Sequence, residues 1–243
     1  MIIARRIGKF AVTAGLAGAL FAVDGAHANL RLSAYGGVAE TLDTDVEFEQ
    51  DGGTALTLND ISWDNESFQS PIYYGLRFSY WFDRAPSWGL ALDFTHTKMI
   101  ADTDQIVTVN GTRAGMSVAG RERLGETFSN LQLSHGHNLL TLNALHRLFP
   151  ADRLETYIGL GIGAAIPHVE TEIDGIGTSE YQLAGAAAQG LLGVHVGLIK
   201  HLSAFIEYKL SYADIDADLQ GGSSLHVEPW TNHFILGLSL SFF

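Results

Sequence analysis

Phe234-Ile235-Leu236-Gly237-Leu238-Ser239-Leu240-Ser241-Phe242-Phe243 closes the chain. Large apolar residues stand at 234, 236, 238, 240 and 242, with glycine or serine between them and Ile235 as the exception. A period of two is a strand with one greasy face. The other face is too small and polar to pack as a core. An edge strand in a soluble sandwich is the competing reading. The pattern fits better a strand of a closed barrel in a membrane, apolar outward, small or polar inward, with aromatics at the water boundary.

The same rhythm recurs upstream. Leu30 to Ala39, Tyr73 to Phe82, Trp88 to Thr97, Leu139 to Leu148, Thr156 to Ile166, a strand within Tyr181 to Leu198, and Ser203 to Asp214 all alternate. Tyr74, Leu76, Phe78, Leu90, Leu92, Leu142, Leu160, Ile206 and Tyr208 are expected on the outer face. Tyr35, Arg77, Trp81, Asp93, Asn143, Gln189, Glu207 and Lys209 are expected inside, and Gly159, Gly161 and Gly163 line the lumen. Short turns follow the second, fourth and sixth strands. Residues 40–70, 99–132, 170–180 and 215–228 are expected as long loops. The fold class is therefore all-β, an eight-stranded antiparallel up-and-down transmembrane β-barrel, with short turns on one side and long loops on the other. Eight strands leave an interior filled by side chains or by one small ligand, and no open channel. Inward Arg31, Arg77, Arg147 and Lys209 can pair there with Asp93 and Glu207.

Composition supports this and removes other classes. The net charge of −13 argues against a nucleic-acid binder, and the absence of cysteine removes disulfides and thiolate sites. No apolar run after the N-terminus is long enough for a spanning helix. Arg5, Arg6 and Lys9, then an apolar core from Phe10 to Val23, then Ala26-His27-Ala28, read as a signal peptide over 1–28. Residues 29–243 are expected to form one outer-membrane domain in a Gram-negative cell.

Histidines mark one end of the predicted barrel. His96 ends the third strand, His135 and His137 open the fourth, and His168 follows the fifth, two residues before Glu170. Asp64, Asp93, Asp102 and Glu180 are carboxylates expected near the same end. Imidazoles and carboxylates at one level can bind a divalent metal or run acid–base chemistry. Amphipathic rings at a membrane interface give the same pattern without chemistry. His146, His195 and His201 fall near the opposite end and receive no role. Ser134 beside His135 and His137 admits a deacylase, although no nucleophile elbow is present. Gly159-x-Gly161-x-Gly163 lies within a strand and is no nucleotide loop.

Several stretches together resemble one family. They are Asp60-Ile61-Ser62-Trp63-Asp64 with Pro71-Ile72-Tyr73-Tyr74-Gly75-Leu76-Arg77, Asp93-Phe94-Thr95-His96-Thr97-Lys98, and Ser134-His135-Gly136-His137-Asn138-Leu139-Leu140-Thr141-Leu142-Asn143-Ala144. Pro167-His168-Val169-Glu170, Glu180-Tyr181-Gln182 and Phe205-Ile206-Glu207-Tyr208-Lys209 complete the set. These resemble the lipid A oxidase family of alphaproteobacterial outer membranes, departing at His137, where an apolar residue is expected. The resemblance implies O2-dependent oxidation of the proximal glucosamine of lipid A to 2-aminogluconate, with release of hydrogen peroxide. It implies lipid A, or lipopolysaccharide, as the partner. Asp93, His96, His135, His168 and Glu170 are then the expected catalytic residues, with a divalent metal ion on His96, His135 and His168. A non-enzymatic barrel with ligand-binding or adhesive external loops, and a lipid A deacylase, are the alternatives.

Overall fold

The computed structural model describes residues 29–150 and 154–242. The expected signal peptide, the middle of the turn after the fourth long strand, and Phe243 lie outside the described residues. The fold is all-β and antiparallel, with one short 3-10 turn at Leu124–Glu126. No helix among the described residues is long and apolar enough to cross a membrane.

Eight long strands carry the architecture: β1 (Asn29–Thr41), β2 (Tyr74–Phe82), β3 (Ala85–Ala101), β4 (Asn130–Pro150), β5 (Leu154–Ala165), β6 (Gly185–Ile199), β7 (Leu202–Leu219) and β8 (Trp230–Phe242). Each pairs with the next, and β8 returns to β1, so the pairings form a closed circuit. Following the register one way from Tyr35, through Gly75, Thr95, Leu139, Ala165 and Gly185, reaches Ile215. The other way, through Gly237, reaches Phe205 on the same strand, ten residues away. Closure with such a stagger requires strands tilted by roughly 40°. Among the described residues no backbone edge is left bare in the wall, the condition for a sheet to live in lipid.

The alternation sorts side chains as the sequence predicts. Leu76, Leu92, Leu142, Leu160, Ile206 and Leu236 stand on the outer surface, an apolar belt that water would not tolerate. Tyr80, Phe82, Trp88 and Phe242 border the belt at the short-turn end, and Tyr74, Tyr212 and Trp230 border it at the other. Ile235, the exception in the opening stretch, points inward and packs with Tyr35, Tyr73 and Phe205.

The interior is filled. Arg77 donates to both Glu207 oxygens at 2.6 and 2.7 Å and to Asp93 at 3.1 Å. Lys209 donates to Asp93 at 2.7 Å, to Thr95 at 2.8 Å and to the Tyr35 hydroxyl at 3.0 Å. Gln189 and Tyr157 add bonds to Asp93 and Glu207. Two buried cations face two buried carboxylates, each held by several hydrogen bonds, which is the condition for burying charge at bearable cost. Arg31 and Arg147, expected in this network, instead share Glu155 near the short-turn end.

The four long loops expected from the sequence are corrected in large part to strands, with 65–70, 102–105 and 124–129 remaining outside them. Thr44–Gln50 pairs with Thr54–Ile61, Ile106–Arg113 with Met116–Arg123, and His168–Ile173 with Ile176–Tyr181. Ser223–Val227 pairs with the end of β7 and with Thr44–Gln50. Together with the two-residue Trp63–Asp64 strand, sixteen strand segments stand among the described residues where eight were expected. Tyr181, expected in the sixth strand, belongs to a hairpin. At the tip of that hairpin Asp174 and Gly175 both take positive φ, the backbone of a tight two-residue turn. Val46, Phe48, Leu56, Leu58, Val107, Val109, Leu225 and Val227 point inward from these extensions and build an apolar core above the polar one. Phe48 meets Phe128 edge-on at 5.1 Å.

Candidate active site at the outer lip

Three residues meet where β4, β5 and the His168–Ile173 hairpin leave the apolar belt. His168 and Glu170 are two apart on one strand and so share a face. His135 reaches that face through a bulge. Thr97 pairs with His137 and Met99 with Leu133, so β4 spends two more residues than β3 over this interval. By simple alternation His135 would share the inward side of Leu133 and His137. The bulge expels it, and its side chain is 61% exposed. Gly136 is in the bulge at φ +137°, and a Cβ there would lie 2.5 Å from the Asn138 side chain.

Glu170 joins the group. Its Oε1 lies 2.8 Å from His168 Nδ1, accepts from Ser134 Oγ at 3.2 Å, and is in close contact with His135 Nδ1. The imidazoles lie 5.1 Å apart, and Tyr181 packs on His168 at 4.5 Å while donating to the His135 carbonyl at 3.0 Å. One donor atom from each of His135, His168 and Glu170 falls within 4.8 Å of the others.

The donor chemistry fits a divalent cation. His168 Nδ1 is buried and, despite its proximity to Glu170, has no hydrogen bond of proper direction. Two imidazoles and one carboxylate, with open positions toward solvent, form a set that suits first-row metals.

The other expected site residues go elsewhere. His96 is buried, stacks on Tyr74 at 4.7 Å, and shares a hydrogen bond at 2.8 Å with Asn138. It lies outside the His135–His168–Glu170 group, so Glu170 takes the place expected for it. Asp93 sits deep in the lumen on Arg77 and Lys209, a charge partner within the wall's interior. His137 is buried with its Nδ1 unpartnered. Asp64, Asp102 and Glu180 hold local backbone or side-chain bonds and do not join the site. The serine relay is disfavoured by geometry: Ser134 approaches His135 at Nδ1, the nitrogen already facing Glu170. A relay needs its base to face serine and acid with opposite nitrogens.

Sequence reading missed Tyr181 as a member of this site. It missed a second group, Asp214, Asp216 and His226, whose donor atoms also lie within 4.8 Å of one another. The signal was available: an Asp-x-Asp pair shares a face on β7, and Asp216 is in register with His226.

No family model matches the chain, and no curated protein matches it. Among solved structures it is similar to neisserial surface protein A, with 11% identity, 88% of this chain and 97% of that one covered, and a TM-score of 0.42. The outer-membrane protease OmpT of Escherichia coli gives 8% identity, coverage of 88% and 97%, and a TM-score of 0.41. Outer membrane protein W of E. coli gives 18% identity, coverage of 90% and 100%, and a TM-score of 0.35. Likeness this distant carries neither activity nor substrate. The outer-membrane location rests on the chain's own wall, a closed circuit with an apolar belt, short turns on one side and long extensions on the other.

Proposed function

We propose that this chain is an eight-stranded outer-membrane barrel whose outer lip oxidises the sugar head group of lipid A. The observation that carries the reading is the His135–His168–Glu170 group. It lies on the outer side of its strands at the long-extension end, beyond the apolar belt, and that position supports a reading in which the group meets a lipid head group. The motifs that resemble lipid A oxidases contribute all three residues.

The proposed reaction converts the hemiacetal carbon of the proximal glucosamine to the acid level. The anomeric hydroxyl loses its proton, and its carbon loses a hydrogen with the bonding electron pair. O2 takes up two electrons and two protons and leaves as hydrogen peroxide. Water then opens the lactone to 2-aminogluconate. Glu170 is placed to hold the proton at Oε1, with the Ser134 hydroxyl orienting the carboxylate. Exposed His135 meets the sugar, and Tyr181 fixes the backbone beneath it. A divalent cation on His135, His168 and Glu170 would supply a Lewis acid when bound.

The test is purified barrel with lipid A in detergent under air. Peroxide released in step with oxidised sugar supports the reading; no peroxide, or release of a fatty acid, rejects it.

A second reading has its own observation. Met116–Arg123 pairs on one side only, with the Ile106–Arg113 strand, and its other backbone edge is bare among the described residues. A bare external edge is how a non-enzymatic barrel captures an extended peptide. In that case affinity resides in the external hairpins, and lip substitutions leave it unchanged.

A further inference from the structure

We propose that the short-turn mouth of the barrel, its periplasmic face, is a binding pocket for a small oxyanion. A polar cavity of about 370 Å³ opens there, bordered by Arg31, Glu155, His195, Lys200, His201 and Ser203. These residues come from β1, β5, β6, the turn at Lys200-His201, and the start of β7.

The argument rests on charge. At mid-barrel, Arg77 and Lys209 are matched by Asp93 and Glu207. At the mouth, the match fails. Arg31 at 2.9 Å and Arg147 at 2.8 Å both lean on one carboxylate, Glu155. Their side chains are only 13% and 16% exposed. Among the described residues one sheltered positive charge is therefore left over before Lys200 is counted, and Lys200 has no ion pair there. A sheltered cation without a counter-charge is costly, and an anion relieves it.

The polar atoms agree. His195 is buried, its Nδ1 is taken up by Arg31 and Glu155, and its Nε2 has no partner. Arg31 Nε and Ser203 Oγ are likewise buried without partners. A guanidinium N–H, an imidazole and a hydroxyl suit the oxygens of a phosphate or carboxylate, which bind such groups by charge-assisted hydrogen bonds. This pocket shares no residue with the outer-lip site.

Inorganic phosphate is the probe, titrated into full-length protein refolded in a zwitterionic detergent and followed by calorimetry or phosphorus NMR. Saturable binding at one site is expected, weakening as salt rises. Lys200 lies exposed in a turn, so Lys200→Glu should fold normally and lower affinity by about tenfold or more. Glu155→Gln removes the only carboxylate among the described residues that border the cavity and is expected to tighten binding by about tenfold. An incidental association with the Lys200 turn would not respond to Glu155. Native folding of each variant is checked by its heat-dependent gel mobility. Absence of saturable binding, or binding that Lys200→Glu leaves unchanged, overturns the proposal, as does an adventitious ion only, seen as weak uptake that folded Glu155→Gln does not alter.

Discussion

Glu170 Oε1 is shared by Ser134, His135 and His168, so this one oxygen sets the geometry of the lip. Glu170→Gln keeps the shape and removes the charge. It is expected to lower lipid A conversion by about 10- to 100-fold, the usual cost of losing a carboxylate that orients or ligates at such a centre. Fold and yield should be unchanged, and His96→Ala, outside the group, should convert at close to the parent rate. Asp93 belongs to another kind of chemistry. Asp93→Asn leaves Arg77 and Lys209 short of a buried counter-charge and should cost about 3–5 kcal/mol of stability, read from urea unfolding in lipid vesicles. The sequence showed that histidines gather at one end, but not which of them meet. His135 and His137 are two apart and would share a side in any regular strand. Only the bulge at Gly136 separates them, and nothing in Ser134-His135-Gly136-His137 fixes its size in advance. Asp93 was misplaced for a related reason: alternation tells inward from outward, but not depth along the lumen.

Among the elements, β8 read most directly, because lipid on one side and a narrow lumen on the other leave each position a small choice of residue. Leu236 lies midway between Trp230 and Phe242 on the outer face. Leu236→Arg should therefore destabilise the barrel by about 2–4 kcal/mol, against about 0–1 kcal/mol for arginine placed near either rim, measured by reversible unfolding in vesicles. A cost that does not vary with depth would show that this face does not meet lipid. The external strands were hidden by their own surfaces. Val46 and Phe48 alternate with Glu47 and Glu49, and the acids, with the glycines of Asp51-Gly52-Gly53, made the segment look like a loop. In water an acidic outer face is what keeps such a hairpin soluble, so the apolar face inside was the better guide. The two inner faces meet across the extensions to form one apolar cap.

Across the described residues the molecule is a closed wall with three fillings: a mouth where two arginines share Glu155, a charge-balanced middle and an apolar cap. Such a barrel should show no stepped conductance in planar bilayers; reproducible channel openings would mean that the fillings move aside. With the lumen filled by packed side chains among the described residues, the proposed chemistry and binding are assigned to the two ends. The most direct test is the mass profile of lipid A from cells with the wild-type protein and with His168→Ala. The wild type should add one oxygen atom to the glucosamine backbone with every acyl chain retained, and the variant should not. Identical profiles, or loss of an acyl chain, would contradict the account.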